Sequence, residues 1–309
     1  MANQNFCLES LFHYVAVHNE LELKKIVNTF GSTTHVVLQK LNELKDMGLP
    51  LTIDCNGVKL NKFFSPLDVK SLKSQSQKKI HYLFSTDSTN TLAKMSNEDA
   101  VFITEHQTQG RGQHGKSWLT PLGQSVALSL SYSFNFPLTH LSGLNIAIGV
   151  AVIKIIKQFS NLQVSLKWPN DIIGEFGKIA GILIEAQGSG NKCKACIGIG
   201  INWNVSQNLL DSINQPCMNV EIESVNRSQF LAYLINELDK VINEFKSNKL
   251  KNLISLWNEF DLLENQTIHI TEPMDSYDAT YLNVDASGML KVLVGKEERL
   301  ISSASIKIL

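Results

Sequence analysis

The chain has 309 residues, 43% hydrophobic and 18% charged, with a formal net charge of -1, which suits two or three domains around a sizeable core. No apolar run reaches the roughly 18 residues of a bilayer-spanning helix, and the N-terminus, with Glu9 and no basic stretch, does not read as a signal peptide, so a cytoplasmic protein with no membrane partner is expected. Five scattered cysteines, an odd number, argue against a disulfide framework.

Residues 1–61 read as three helices and a hairpin. Leu8, Leu11, Phe12 and Val15 recur at helical spacing, and Leu23, Ile26 and Val27 begin a second helix that Gly31 can end. Ser32, Thr33 or Thr34 can cap a third helix, with Val37, Leu41 and Leu44 inward and Gly48 as its stop. A short loop between the last two is the helix-turn-helix arrangement, and Leu51 to Leu60, with Asn56-Gly57 at the tip, would form a wing. Thr34, His35, Gln39, Lys40 and Asn42 would face a major groove. Up to residue 66, however, six lysines meet six acidic residues, a weak basis for gripping phosphates, and a purely structural appendage is the alternative.

Residues 62–79, with Ser65-Pro66 and a polar run from Lys73 to Lys79, read as a linker. Residues 80–262 mix strands with long helices at 144–159 and 228–250, so an α+β domain is expected: a mixed sheet with helices on one side. Asp87-Ser-Thr-Asn90 looks like a helix cap. Glu105 to Trp118 places three glycines around Arg111, which can form a backbone anion nest reinforced by a guanidinium or simply a flexible hairpin tip. Val164 to Ile184 reads as a strand, a turn opened by Pro169 and a returning strand; Lys178 then stands at the entrance to an apolar strand, where it can face a bound anion or merely solvent. Ile197 to Asn204, with two glycines, suggests a strand approached closely by something else. Cys193 and Cys196 have zinc-like spacing, but in a strand they point to opposite faces. Leu253 to Leu263 looks like a closing helix. From 263 to 309, short alternating strands with a turn at Asp285-Ala-Ser-Gly288 suggest a small β-barrel.

Asp-Ser-Thr-Asn at 87–90, the Gln107 to Trp118 motif, Lys-Trp-Pro-Asn-Asp at 167–171, Lys178-Ile-Ala-Gly-Ile-Leu183 and Gly198-x-Gly200-x-Asn202, in that order, resemble the biotin protein ligases of the bifunctional type. The resemblance covers residues 80 to 260 strongly and implies a winged helix-turn-helix domain, the catalytic sheet domain and an SH3-like C-terminal barrel. It implies two steps with ATP, biotin and Mg2+: formation of biotinyl-5′-AMP, then transfer of biotin to a lysine of a biotin carboxyl carrier protein. In this scheme Ser88, Thr89, Asn90, Gln107, Gly110, Gly112 and Gly181 hold biotin, with Trp118 packed nearby. Arg111 and Lys178 face the carboxylate and α-phosphate, and Lys167 contacts phosphate. Asn170 binds adenine, Asp171 orders the phosphate side and magnesium, and Gly198, Gly200 and Asn202 let the nucleotide lie close.

It further implies a homodimer, formed when loaded with adenylate, that represses transcription at operator DNA. Dimer contacts would be sought in the loops around 110–118 and at the free edge of the sheet. Two departures stand out: Gln113 and His114 follow Gly112 where relatives carry arginine, predicting faster leakage of adenylate, and Cys217 sits where some carry an aromatic lid. Equal release rates in Gln113→Arg would refute the leakage. A lipoate or octanoate transferase lacks support in these motifs, and a DNA-binding regulator with a dead enzyme domain is disfavoured by the intact Arg111, Lys167, Asn170, Asp171 and Lys178.

Overall fold

The computed structural model describes residues 6–55 and 57–309. The N-terminal elements are α1 (Leu8–His18), β1 (Glu20–Glu22), α2 (Leu23–Phe30), α3 (Thr34–Asp46), β2 (Leu51–Ile53) and β3 (Gly57–Leu60). Gly31 ends α2 in the left-handed conformation, and the Thr33 hydroxyl accepts the Val36 amide to start α3. Leu11, Phe12, Val15, Ile26, Val37, Leu41 and Leu44 fill one core, as their spacing requires. The hairpin has a third strand, β1, paired with β3; the Asn56 part of its expected tip lies outside the described residues.

The expected linker is not loose. It contains α4 (Val69–Gln75), capped by Asp68, and buries Leu67 and Leu72 in the central core. Leu72 is the one buried apolar side chain of this helix, set in a polar run, so tertiary contact rather than periodicity fixes it.

The central elements are β4 (Ile80–Thr86), α5 (Thr89–Met95), β5 (Ala100–Gln107), β6 (Ser125–Phe134), α6 (Leu144–Phe159), β7 (Val164–Lys167), β8 (Asp171–Gly174), β9 (Gly177–Ser189), β10 (Lys192–Asn202), α7 (Gln207–Asp211), α8 (Arg227–Asn248) and α9 (Ile254–Phe260). Seven strands form one mixed sheet in the order β4-β5-β6-β10-β9-β8-β7, with only β4 and β5 parallel. Strand alternation gives the sheet two unlike faces. Val126, Leu128 and Leu130 of β6, with Ile197, Ile199 and Ile201 of β10, pack under α6 and α8. The other face presents Ser125, Ala127, Ser129 and Ser131, with Gly198, Gly200 and Gly181 beside them. Helices therefore do not all lie on one side: α5 sits on this second face, packing Ala93 against Ala100, Phe102 and Cys196. Helix packing needs large apolar side chains, and the small ones beyond α5 leave a hollow instead.

The span Leu138–Phe159 is long and apolar enough to cross a membrane, contrary to the reading of the sequence, but 72% of its most apolar 18-residue window is buried inside the protein, as in a core helix. The C-terminal elements β11 (Thr267–Thr271), β12 (Ser276–Val284), β13 (Leu290–Val294), β14 (Glu297–Ile301) and β15 (Ser305–Ile308) form an antiparallel sheet in the order β14-β13-β12-β11-β15. Its apolar side joins the central core, and the Trp168 indole donates to Gly288 O at 3.0 Å.

The N-terminal core is shared as well. Leu122, from the loop between β5 and β6, is fully buried in it, and Phe12 stacks on Phe64 and tilts against Phe84. Leu122 N donates to Met47 O at 2.9 Å and Gln124 Nε2 to Gly48 O at 2.6 Å. Beneath this junction lies a buried ion pair between Glu105 and Arg227, whose guanidinium also donates to Ser65 O and Ser125 O; Leu67 N donates to Glu105 Oε1.

Candidate active site

The hollow on the small-residue face is an open cleft of about 440 Å³. Its floor is β10 and β9, and its far end is the start of α5. There Ser88, Thr89 and Asn90 are all buried, although Ser88 occupies the cap position without capping. Gln107 Oε1 accepts from Thr89 N (2.8 Å) and Thr89 Oγ1 (3.1 Å), and its Nε2 donates to Thr120 Oγ1 (2.9 Å). Ser129 Oγ lies 2.8 Å from Thr89 Oγ1 and 2.5 Å from Asn90 Oδ1. Ser129 and Thr120 were not singled out from the sequence; the alternation of Ser125, Ser129 and Ser131 among large apolar residues was the available signal.

The glycines of this face are filled by protein. A Cβ on Gly198 would overlap the Asn90 amide, and one on Gly200 would overlap the Trp118 indole, so these positions make room for those side chains; both glycines also line the cleft. Gly181 supports the same indole, with Trp118 Cζ3 3.0 Å from where its Cβ would be. The indole N–H is buried without a partner, which leaves a donor for a ligand.

Gly110 to Trp118 is a closed loop. Trp118 N donates to Gly110 O, Gly112 N to Lys116 O and Lys116 N to Gln113 O, and His114 and Gly115 take positive φ at the tip. Those three amides are spent inside the loop, and Arg111 and the neighbouring lysines supply its positive charge. Arg111 lines the cleft but turns toward α5, with Nη2 3.2 Å from Thr91 Oγ1 and 3.6 Å from Glu185 Oε2.

At the other end Lys178 Nζ pairs with Asp171 Oδ1 at 2.7 Å and lies 5.5 Å from the Trp118 ring centroid. A second hollow of about 910 Å³ continues from here, sharing Gly112, Gln113, Trp118, Asn170 and Lys178 with the first. Lys116, Lys167 and His114 also line it, so it is cationic, and Ser305 at the start of β15 closes one wall. Burial holds the Lys167 ammonium below its usual range against the pull of Asp171, and Lys178 and Lys116 push the same way as burial. A bound anion would relieve that repulsion. Asn170 donates Nδ2 to Ile182 O at 2.8 Å and borders both hollows. Asn202 does not face the cleft: its amide donates to Lys178 O and Met218 O, tying segment 216–218 to β9. Cys217 instead lines a smaller hollow with Trp118 and Asn202, and burial raises its thiol above the usual range.

Of the helix-turn-helix residues, Thr34, His35 and Gln39 are exposed, but Gln39 Nε2 is bonded to Glu43 and Lys40 lies over the Phe6 ring at 5.4 Å. Among the described residues no three His, Cys, Asp or Glu side chains gather as metal ligands.

A mixed sheet with a small-residue face, amide and hydroxyl groups at one end and clustered cations at the other defines a site for a compact polar ligand joined to an anion. Residues 82–202 match the model of the biotin/lipoate A/B protein ligase family. The chain is 26% identical over 300 residues to the bifunctional ligase/repressor BirA of Escherichia coli (strain K12), covering 91% of this chain and 92% of that protein. It is 27% identical over 198 residues, 59% of this chain and 73% of the other, to a biotin--[acetyl-CoA-carboxylase] ligase of Mycobacterium tuberculosis. Among solved structures the fold matches biotin protein ligase from Aquifex aeolicus in complex with biotin and ATP, with a TM-score of 0.63 at 21% identity over 75% of this chain and 99% of that one.

Proposed function

We propose that the protein is an ATP-dependent biotin protein ligase of the cytoplasm that modifies a biotin carboxyl carrier protein. The observation that carries this reading is the paired cleft: buried amides and hydroxyls at the α5 end, with Arg111 beside them, lead to Lys178, Lys167 and Lys116 at the other. Biotin would place its ring between Thr89, Asn90, Ser129 and the Trp118 indole, with its carboxylate toward the cations. In the first step a carboxylate oxygen bonds to the α-phosphorus of ATP as the bond to pyrophosphate breaks. In the second, the amine of a carrier lysine bonds to the acyl carbon, loses a proton, and AMP leaves. Neither step needs an enzyme nucleophile. The chain's residues position the reactants and oppose growing negative charge, with Lys178 closest in role to the reacting phosphate.

Among the described residues lining the cationic hollow, Asp171 is the one carboxylate, and its Oδ1 is held by Lys178. A magnesium ion there would be held mainly by phosphate oxygens and water, as is usual for this ion, and would neutralise phosphate charge. The reading is tested by biotin transfer to a purified carboxyl-carrier domain in wild type and Lys178→Ala, with lipoate in place of biotin as control. Modification that requires biotin and collapses in the variant supports it; modification with lipoate alone overturns it.

A repressor role at operator DNA, through an adenylate-loaded dimer, is the finer proposal, supported by α2 and α3 in helix-turn-helix order and by the similarity to BirA. The engaged Gln39 and Lys40 and the even charge count weigh against tight binding. Mobility-shift titration of DNA upstream of biotin-synthesis genes, with and without biotinyl-AMP, decides it: no shift at low salt removes the role.

A further inference from the structure

We propose that Glu185 is a positioning residue that holds Arg111 in the ligand-free site and yields it to the carboxylate of the incoming ligand. This rests on the reading of the cleft as a biotin site. Glu185 lies on β9 four residues beyond Gly181, so strand alternation brings it to the same face of the sheet. Three donors converge on it: Lys94 Nζ at 3.3 Å from Oε1, and Asn90 Nδ2 at 3.3 Å and Arg111 Nη2 at 3.6 Å from Oε2.

These distances exceed the roughly 2.7–2.9 Å of a tight charge-assisted bond. The Arg111 side chain is 43% exposed, and its other hold is one hydroxyl, Thr91. Such a pair is weak and readily exchanged. The guanidinium borders the cleft, so an acid group bound there competes with Glu185 for it. When Arg111 leaves, Lys94 remains to neutralise Glu185, and the exchange strands no charge. Glu185 also orients Asn90, whose other amide atom meets Ser129 at the cleft floor. One carboxylate thus touches both the group that would meet the ligand ring and the group that would meet its acid tail.

The experiment is calorimetric titration of wild type and Glu185→Gln with biotin and with biotinamide, its uncharged analogue, at low and high salt. Glutamine keeps one acceptor oxygen, which can still orient Asn90, and removes the competing charge. Biotin should bind about two- to fivefold tighter to the variant, the range set by a half-exposed ion pair. Biotinamide should be unchanged, and the gain should shrink as salt rises. Equal or weaker binding of biotin, or the same gain for biotinamide, overturns the inference. Glu185→Asp, whose shorter arm draws the carboxylate away from Arg111, should shift biotin in the same direction and serves if the glutamine variant does not fold. Failure of the wild type to bind either compound instead overturns the biotin-site reading itself, so the two failures are distinct.

Discussion

Replacing Lys178 by alanine removes the cation that the proposed mechanism sets beside the reacting phosphate, and takes from Asp171 the ammonium now 2.7 Å away. Two losses follow, and a second substitution separates them. Removal of one preorganised donor at developing charge costs about 10²–10³ in kcat. The orphaned carboxylate adds repulsion: two unit charges about 8 Å apart interact by about 2 kcal/mol at an effective dielectric of about 20. The Asp171 side chain is 23% exposed, so solvent screening reduces this. We take about 1 kcal/mol, or about fivefold in rate. Lys178→Ala should therefore slow adenylate formation by about 10²–10³, and Lys178→Ala with Asp171→Asn should recover about fivefold of that. Pyrophosphate exchange at saturating biotin and ATP reads the step directly. A single variant that keeps more than a tenth of the rate, or a double variant no faster than the single, would refute the reasoning.

Gly200→Ala should push the Trp118 indole off the sheet and weaken biotin binding by about five- to 150-fold, if overpacking of about 1–3 kcal/mol falls on the bound state; tryptophan fluorescence together with calorimetry checks it, and unchanged affinity shows that the indole is not part of the site. Arg227→Ala strands the fully buried Glu105 and should cost about 3–5 kcal/mol, lowering Tm by about 6–20 °C in a scan, whereas replacing both residues by apolar ones of similar size should cost much less. Lys167 makes a pH prediction. Its folded-state pKa is depressed, so its charged form opposes folding at neutral pH, and that penalty fades as pH rises from the folded value toward the unfolded value of about 10.4. ATP binding restores the proton, so affinity should begin to fall at a pH below that of an ordinary lysine; a Lys167→Arg variant should flatten the profile between pH 7 and 10, and parallel profiles would exclude the coupling.

The strands β7 and β9 were legible between Val164 and Ile184 because apolar alternation and Pro169 are local signals, but the stretch read as a single turn holds a further short strand, β8 (Asp171–Gly174), paired to both. Legible too were α1 to α3, whose inward residues recur at helical spacing. What escaped depends on distant partners. β1 is three residues long, two of them glutamates, and exists because β3 lies beside it. α4 was lost in a polar run for the same reason. At the site, the sequence singled out Arg111, Lys178, Thr89 and Asn90, all of which line the cleft, but the partners they choose were not legible. Glu185 is nearly a hundred residues from Asn90, and Asn202 looked like a ligand residue while serving as a clamp on segment 216–218.

The seating of Leu122 in the N-terminal core bears on how this protein can be taken apart. A cut after residue 61 would pass through one hydrophobic cluster rather than between two, exposing Leu122, Phe64 and Phe84 together. Trp118 is only four residues from that anchor. A shortened enzyme that turns over poorly would then report a loosened tryptophan, and grafting a foreign head onto this body would succeed only if the graft brought its own socket for the leucine.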